Sequence, residues 1–141
     1  MSRDATTWRE LVLDPASAPH RRILVEASAG TGKTWTISAI YLRLVVEHGL
    51  RPESIVVSTF TDAAAAELRE RIRTRLLWAL RSCDDGTALA AEATELRDWF
   101  ATQATRLPPD DMRWHLQAAL AGIVRAAIAT LLALCKRSLA E

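Results

Sequence analysis

The sequence has few cysteines, no apolar leader and no long hydrophobic run, and each shortage narrows the possible class of protein. Its 141 residues include two cysteines, Cys83 and Cys135, whose separation does not match a metal-binding pair. So few cysteines are typical of a protein from the reducing cytoplasm. Charged residues within positions 1–10 interrupt any signal-peptide core. The longest apolar segment, 126–135, is shorter than the roughly twenty residues that span a bilayer. The sequence therefore predicts a cytoplasmic protein without a membrane-spanning helix.

Charge of one sign is also scarce, because 18 basic and 17 acidic residues leave a net charge of +1. A strongly basic chain would indicate a nucleic-acid partner through its overall field, and this balance does not. Any nucleic-acid site must therefore be a local patch. One basic cluster is present, and two hypotheses stay open for it: a solvated helix face or a DNA site. Its members are Arg69, Arg71, Arg73, Arg75 and Arg81.

The most informative feature that is present is a glycine-rich segment between a short apolar run, 23–25, and an amphipathic stretch that begins at Trp35. This order of strand, glycine turn and helix, closing in Gly-Lys-Thr, is the layout of a phosphate-binding P-loop. The alternative, a glycine turn that binds nothing, is uncommon in this context. The predicted ATP-binding residues are Ala27, Ser28, Ala29, Gly30, Thr31, Gly32, Lys33 and Thr34.

Each part of this segment has a physical role toward a triphosphate. Gly30 and Gly32 can adopt positive φ angles, so that successive backbone N–H groups approach the phosphate oxygens. The following helix directs the partial positive charge of its N-terminus toward the same anion. Lys33 would place a compact charge beside the β- and γ-phosphates, and the Thr34 hydroxyl would ligate Mg²⁺. Lys33 and Thr34 are therefore the predicted catalytic residues, and Thr34 is the predicted metal ligand.

The first half of the chain alternates between strand and helix patterns. Residues 22–26 and 54–61 are short apolar runs typical of buried strands. Residues 34–48 and 63–80 repeat apolar side chains at helical spacing. Strand, helix, strand and helix in this order predict a βαβα unit with a parallel sheet.

The second half is richer in helix signals. Residues 87–105 and the stretch from Met112 toward Val124 each predict a helix, with a proline break between them. Residues 125–141 fit both a helix and a strand pattern, although alanine and leucine favour a helix. The predicted fold is therefore α/β, with a helical region in the second half.

A second motif follows the strand at 54–61. In an open α/β sheet, ligands bind outside the carboxyl ends of the strands. Thr59, Phe60 and Thr61 occupy such an end, so we expect them to share an edge of the sheet with the glycine-rich segment. Phe60 has two interpretations, a core aromatic or a ring that stacks on a nucleic-acid base if it faces outward. Thr61 or Asp62 is the expected cap of the next helix.

Together, the two motifs resemble a known family. Residues 24–34 are similar to motif I, and residues 59–72 to motif Ia, of the superfamily 1, UvrD-like DNA helicases, with the nearest resemblance to their RecB-like members. The resemblance implies a partial RecA-like P-loop NTPase sheet. It also implies that residues 1–82 are the N-terminal part of the ATP-binding helicase domain, and that residues 83–141 are an incomplete helical insertion. DNA contacts would fall on Thr59, Phe60, Thr61 and Arg69.

The same resemblance implies a function and its partners. RecB-like members are ATP-dependent DNA helicase and exonuclease subunits that act in double-strand-break repair and recombination. The implied cofactors are ATP and Mg²⁺, and the implied partners are single- and double-stranded DNA and the RecC- and RecD-like subunits of the full-length family. Because the family's residues for hydrolysis belong to later motifs, the chain is expected to be a fragment that binds ATP without hydrolysing it alone. Whether it is an enzyme stays open.

One segment departs from the family pattern. Residues 128–135 are similar to the family's next motif, a strand and turn that touch DNA, but Leu132 and Ala133 stand at its His and Gly positions. A helix in place of the turn is therefore expected. Two other functions stay open for the whole chain: a non-enzymatic P-loop module that binds a nucleotide or a partner, and a small P-loop kinase.

Overall fold

The computed structural model describes residues 33–85 and 94–140. The predicted strand at 22–26 and the ATP-binding residues from Ala27 to Gly32 lie outside the described residues. In chain order, the elements are α1 (Lys33–Val46), a 3₁₀ helix (Pro52–Ser54), β1 (Val56–Thr59), α2 (Asp62–Asp85), α3 (Thr94–Arg106), α4 (Pro109–Gly122), a 3₁₀ helix (Ile123–Arg125), β2 (Ala127–Thr130) and α5 (Leu131–Ala140).

Helix α1 forms where the apolar repeat predicts it. Its buried side chains include Tyr41, Leu42 and Val45, which lie on one side of the helix. The chain leaves the helix through Gly49, whose φ of +62° lies in the left-handed region that favours glycine. The N–H of Leu50 then donates to the carbonyl of Leu44 at 3.0 Å. Helix α1 therefore ends at Val46, two residues before the end of the predicted 34–48.

The two described strands form a parallel sheet, in which β1 pairs with a strand from the segment that fitted both strand and helix patterns. The strand at 22–26, which was predicted to share a parallel sheet with β1, lies outside the described residues. Val56 lies opposite Ala127, and Thr59 lies opposite Thr130. Strand β1 is shorter than the predicted run, because Pro52–Ser54 turn as a 3₁₀ helix before it. Residues 125–141, which fitted both a strand and a helix pattern, contain one of each, since α5 begins directly after β2. A small parallel sheet among many helices agrees with a partial α/β fold, while the P-loop fold stays a prediction.

The hydrophobic core gathers around helix α2, which packs against α1 and α4. Leu76 of α2 and Leu116 of α4 are fully buried, and Ala39 of α1 is buried with them. The same core contains residues from both sides of the predicted boundary after residue 82. Helix α2 is also longer than the predicted 63–80, because it continues to Asp85. None of the described helices is both long enough and apolar enough to cross a membrane.

A buried polar network joins the C-terminal end of α1 to α3. Arg43, whose side chain is 1% exposed, donates from two nitrogen atoms to the two carboxylate oxygens of Glu47, each at 3.0 Å. The indole N–H of Trp99 donates to the same carboxylate, and the Gln103 amide reaches it at 3.5 Å. A buried carboxylate needs several donors to offset its lost hydration. This carboxylate therefore fixes the position of α3 against α1.

Tyr41 supplies a test of the core. It is 1% exposed, its hydroxyl has no hydrogen-bond partner, and burial, aided by the nearby Glu53 carboxylate, raises its pKa to about 12. Because a buried unpaired hydroxyl costs about 1 kcal/mol or more, we expect Tyr41→Phe to raise the free energy of unfolding by about 1 kcal/mol. Urea unfolding at neutral pH measures this change.

The raised pKa also sets the direction of the pH dependence. The folded chain favours the neutral phenol, so Tyr41 does not lower the free energy of unfolding further until the pH passes about 10, and it lowers it progressively as the pH rises toward about 12. Tyr41 is the sole tyrosine, so tyrosinate absorbance reports it alone. Tyr41→Phe should remove this part of the alkaline loss of stability. An identical alkaline profile in the variant would contradict the assignment.

Candidate functional site

The carboxyl ends of β1 and β2 lie side by side, because the strands are parallel and in register from Val56–Ala127 to Thr59–Thr130. At this edge an open groove of about 620 Å³ lies between the segment that follows β1 and the segment that follows β2. We call it the edge groove. Its lining residues are Thr59, Phe60, Thr61, Asp62, Thr130, Leu131, Leu132 and Cys135.

Two helices begin at the edge groove, and a threonine caps each of them. The Thr61 hydroxyl oxygen accepts a hydrogen bond from the N–H of Ala64 at 3.1 Å, at the start of α2. The Thr130 hydroxyl oxygen accepts one from the N–H of Ala133 at 3.2 Å, at the start of α5. The predicted cap at Thr61 is confirmed. Because helix N-termini carry partial positive charge, the start of α5, whose first turn has no acidic residue, favours an anion such as a phosphate group. The Asp62 carboxylate in the first turn of α2 opposes one there.

Phe60 faces outward at the rim of the edge groove. Its side chain is 99% exposed, so the interpretation of Phe60 as a core aromatic is wrong. Leu131 and Leu132 on the opposite side of the groove are 59% and 66% exposed. Exposed aromatic and aliphatic side chains at a shared edge are unusual for a surface that meets only water. The arrangement leaves the face of the Phe60 ring available for stacking on a planar ligand.

The two threonines predicted to contact DNA have local hydrogen bonds. The Thr59 hydroxyl donates to the backbone carbonyl of Thr61 at 3.1 Å, while the Thr61 hydroxyl serves as the helix cap. These bonds fix the turn between β1 and α2, and they orient the exposed Phe60 between them. Contact between these threonines and DNA stays a prediction.

Arg69, the fourth predicted DNA contact, is engaged with the backbone of the second half of the chain. One terminal nitrogen donates to the carbonyls of Ile123 at 2.7 Å and Val124 at 3.3 Å. The other terminal nitrogen donates to the carbonyl of Ile128 at 2.8 Å. The guanidinium group therefore joins α2 to the 3₁₀ helix and to β2. Its contact with DNA stays a prediction.

The other arginines of α2 divide between the surface and the interior. Arg71 and Arg73 are exposed, and Arg73 lies 3.6 Å from the Glu70 carboxylate. Arg75 is 7% exposed, and its guanidinium lies over the ring of Trp35 at 5.2 Å. The hypothesis of a single solvated basic face therefore holds only for part of the cluster.

Lys33 and Thr34 form the first turn of α1. Lys33 is exposed and Thr34 is half-buried, and the first turn contains no acidic residue. A helix N-terminus with one lysine and no carboxylate suits an anionic ligand such as a triphosphate. Within 33–85 and 94–140, no three histidine, cysteine or acidic side chains lie together as a metal site. Magnesium binding at Thr34 through a nucleotide therefore stays a prediction.

Five of the groove residues were not predicted from the sequence as site residues: Asp62, Thr130, Leu131, Leu132 and Cys135. For the last four, the available signal was the resemblance of 128–135 to a family motif that touches DNA. Helix α5 begins directly after β2, which confirms the expected helix in place of the motif's turn.

Both cysteines are free thiols. Cys135 is exposed, whereas Cys83 is half-buried, and this burial raises the pKa of the Cys83 thiol.

Comparisons with known proteins identify the family of the chain. The family model described as UvrD/REP helicase N-terminal domain matches residues 9–141. The chain is 35% identical over 125 residues to RecBCD enzyme subunit RecB of Mycolicibacterium smegmatis, which covers 89% of the chain and 11% of the relative. It is 35% identical over 138 residues to the subunit of the same name from Haemophilus influenzae, covering 92% of the chain and 11% of the relative.

A shorter stretch is more similar still. Over 73 residues the chain is 51% identical to RecBCD enzyme subunit RecB of Escherichia coli, which covers 45% of the chain and 6% of the relative. The chain thus spans about a tenth or less of the length of these curated relatives. The alternative of an unrelated small kinase is wrong, because the family model covers most of the chain. The chain belongs to the family of UvrD/REP helicase N-terminal domains.

Proposed function

We propose that this chain is the ATP-binding portion of a RecB-like, ATP-dependent DNA helicase and exonuclease subunit that acts in double-strand-break repair and recombination. Residues 1–82 would be the N-terminal part of its RecA-like domain, and residues 83–141 would belong to a helical insertion. ATP would bind at residues 27–34, with Lys33 beside the phosphates and Thr34 as a ligand of Mg²⁺. The observation that carries this proposal is the position of Lys33 and Thr34 at the start of α1.

The edge groove supplies the proposed DNA contact. The capped N-terminus of α5 favours phosphate, and the exposed ring of Phe60 offers a stacking surface for a base. Thr59 and Thr61 would complete this contact. The partners that this function requires are single- and double-stranded DNA and subunits like RecC and RecD, in the cytoplasm.

These residues bind a nucleotide in this proposal but do not hydrolyse it alone. Hydrolysis needs a carboxylate that helps to hold Mg²⁺, a group that orients water and an arginine that stabilises the transition state. Neither described strand ends in an acidic pair, since β1 ends at Thr59 and β2 at Thr130. The alternative is a non-enzymatic module that binds a nucleotide or a partner protein. If it binds a nucleotide, it does so at the same residues, 27–34.

The two lysines of the chain give a matched test of the nucleotide site. Lys33→Ala should weaken binding of a fluorescent ATP analogue with Mg²⁺ at least tenfold, because it removes the only charge of α1's first turn. Lys136→Ala removes the other lysine, which is exposed on α5, and should leave binding unchanged. Fluorescence titration of the 141-residue protein measures both. Equal binding by Lys33→Ala and the unchanged chain would remove the P-loop from the proposal.

A further inference from the structure

Arg69 joins parts of the chain that are far apart in the sequence. It lies on α2, about two turns after the Thr61 cap, and its partners belong to the second half of the chain. One terminal nitrogen of its guanidinium group donates to two carbonyl oxygens, at 2.7 and 3.3 Å. The other terminal nitrogen donates to a third carbonyl oxygen at 2.8 Å. All three bonds end on backbone, so they depend on where the chain runs and not on which side chains it carries.

The partners of Arg69 lie immediately before one wall of the edge groove. Ile128 precedes Thr130 by two residues in β2, and Thr130 and Leu131 line the groove. The other wall begins at Thr59 to Asp62, where β1 leads into α2. Arg69 is part of α2, so one guanidinium group connects the helix behind the first wall to the strand behind the second.

Three kinds of contact hold the segment that leads to this wall. Ile123, Ala126 and Ile128 are buried in the core, and β2 pairs with β1. Beyond them, α5 exposes Leu131, Leu132 and Leu139, and the Val124 side chain is 81% exposed. The hydrogen bonds of Arg69 are the described polar side-chain contacts that tie the backbone of 123–128 directly to α2.

From these contacts we infer that Arg69 is a positioning residue for DNA binding: it sets the spacing of the two walls of the edge groove and does not contact the DNA phosphates itself. The inference rests on the proposed DNA contact at this groove. The planar guanidinium fork serves several acceptors in fixed directions, whereas a lysine ammonium is a single point charge on a flexible stem. A lysine at this position therefore keeps the positive charge but cannot form the three hydrogen bonds that set the spacing of the two walls.

This difference separates a positioning residue from a phosphate contact. A residue that neutralises one phosphate contributes about 0.7 to the slope of log affinity against log salt for a single strand, and a lysine supplies that contribution as well as an arginine. A positioning residue contributes nothing to the slope. The affinity for a fluorescein-labelled oligo(dT), measured by anisotropy at several salt concentrations, gives both quantities for the full chain.

We expect Arg69→Lys and Arg69→Ala to weaken oligo(dT) binding alike, by about tenfold, with the salt slope unchanged. Arg71→Ala, which removes an exposed arginine of the same helix, is the control for loss of charge and should leave the affinity within about twofold. Full affinity in Arg69→Lys together with a slope lowered by about 0.7 in Arg69→Ala would show a phosphate contact and overturn the inference.

A second measurement needs no DNA, so it separates this inference from the proposed function. In the unbound chain, amide hydrogen exchange at Ala129 to Ala133 should be at least about tenfold faster in Arg69→Lys, with exchange in α1 unchanged. Unchanged exchange in that strand, or unfolding of the whole chain in both variants, would contradict a local positioning role. If the unsubstituted chain fails to bind oligo(dT), the proposed DNA contact is wrong, and the exchange result still decides the role of Arg69.

Discussion

Glu47→Ala is expected to lower the free energy of unfolding by about 3 kcal/mol, because it removes the carboxylate of a largely buried ion pair, in which the Glu47 side chain is 13% exposed. Its carboxylate accepts both bonds of Arg43 and also those of Trp99 and Gln103. The Arg43 side chain is 1% exposed, so its charge would lose this carboxylate in surroundings that water cannot reach. Urea unfolding followed by far-UV circular dichroism measures the difference.

The matched control is an ion pair on the surface. Glu70 lies 3.6 Å from Arg73 on α2, and both side chains are more than half exposed. Exposed pairs contribute about 0.5 kcal/mol or less, so Glu70→Ala should be close to neutral. Equal destabilisation by the two substitutions would mean that burial of the carboxylate network does not set its contribution.

Phe60→Ala is expected to lower the affinity for single-stranded DNA by about 2 kcal/mol, or about thirtyfold. The ring is 99% exposed at the rim of the edge groove, where a base can stack on its face. For the same reason, the ring contributes little to the folded state, and the free energy of unfolding should change by less than about 0.5 kcal/mol. Anisotropy of a labelled oligo(dT) and urea unfolding give the two numbers.

Trp114 provides the aromatic control for this prediction. It is 54% exposed on α4, outside the edge groove, and lies near Arg51 and His115. Trp114→Ala should leave oligo(dT) affinity within about twofold. Comparable losses at Trp114 and Phe60 would indicate general adhesion of DNA to aromatic surface, and undiminished affinity in Phe60→Ala would exclude stacking at the groove.

The sequence predicted those parts of the fold that depend on local pattern. Apolar spacing located α1. Gly49 follows its end, because glycine adopts a φ of +62° without strain. The pattern did not decide whether 125–141 is strand or helix. Strand β2 forms because it pairs with β1 and because its Ile128 carbonyl accepts a hydrogen bond from Arg69, and both partners are distant in the sequence.

The candidate site was predictable to a similar degree. The strand pattern placed Thr59, Phe60 and Thr61 at a strand end, and the resemblance to a helicase family implied that they contact DNA. Capping preference left Thr61 or Asp62 as the helix cap, and the structure shows Thr61. The exposure of Phe60 was not predictable, because an aromatic at a strand end can face either side. The hydrogen bonds of Arg69 were not predictable either, since charge spacing along a helix does not reveal which backbone carbonyls fold against it.

The parallel pairing of β1 with β2 has a consequence for synthesis of the chain. The ribosome completes β1 long before β2, because α2, α3 and α4 lie between the two strands. During that interval, the edge of β1 that later binds β2 has unsatisfied N–H and C=O groups, which are a template for pairing with another chain. The newly made protein therefore passes through a period in which a chaperone, or rapid packing of α2 over the strand, must keep it from aggregating.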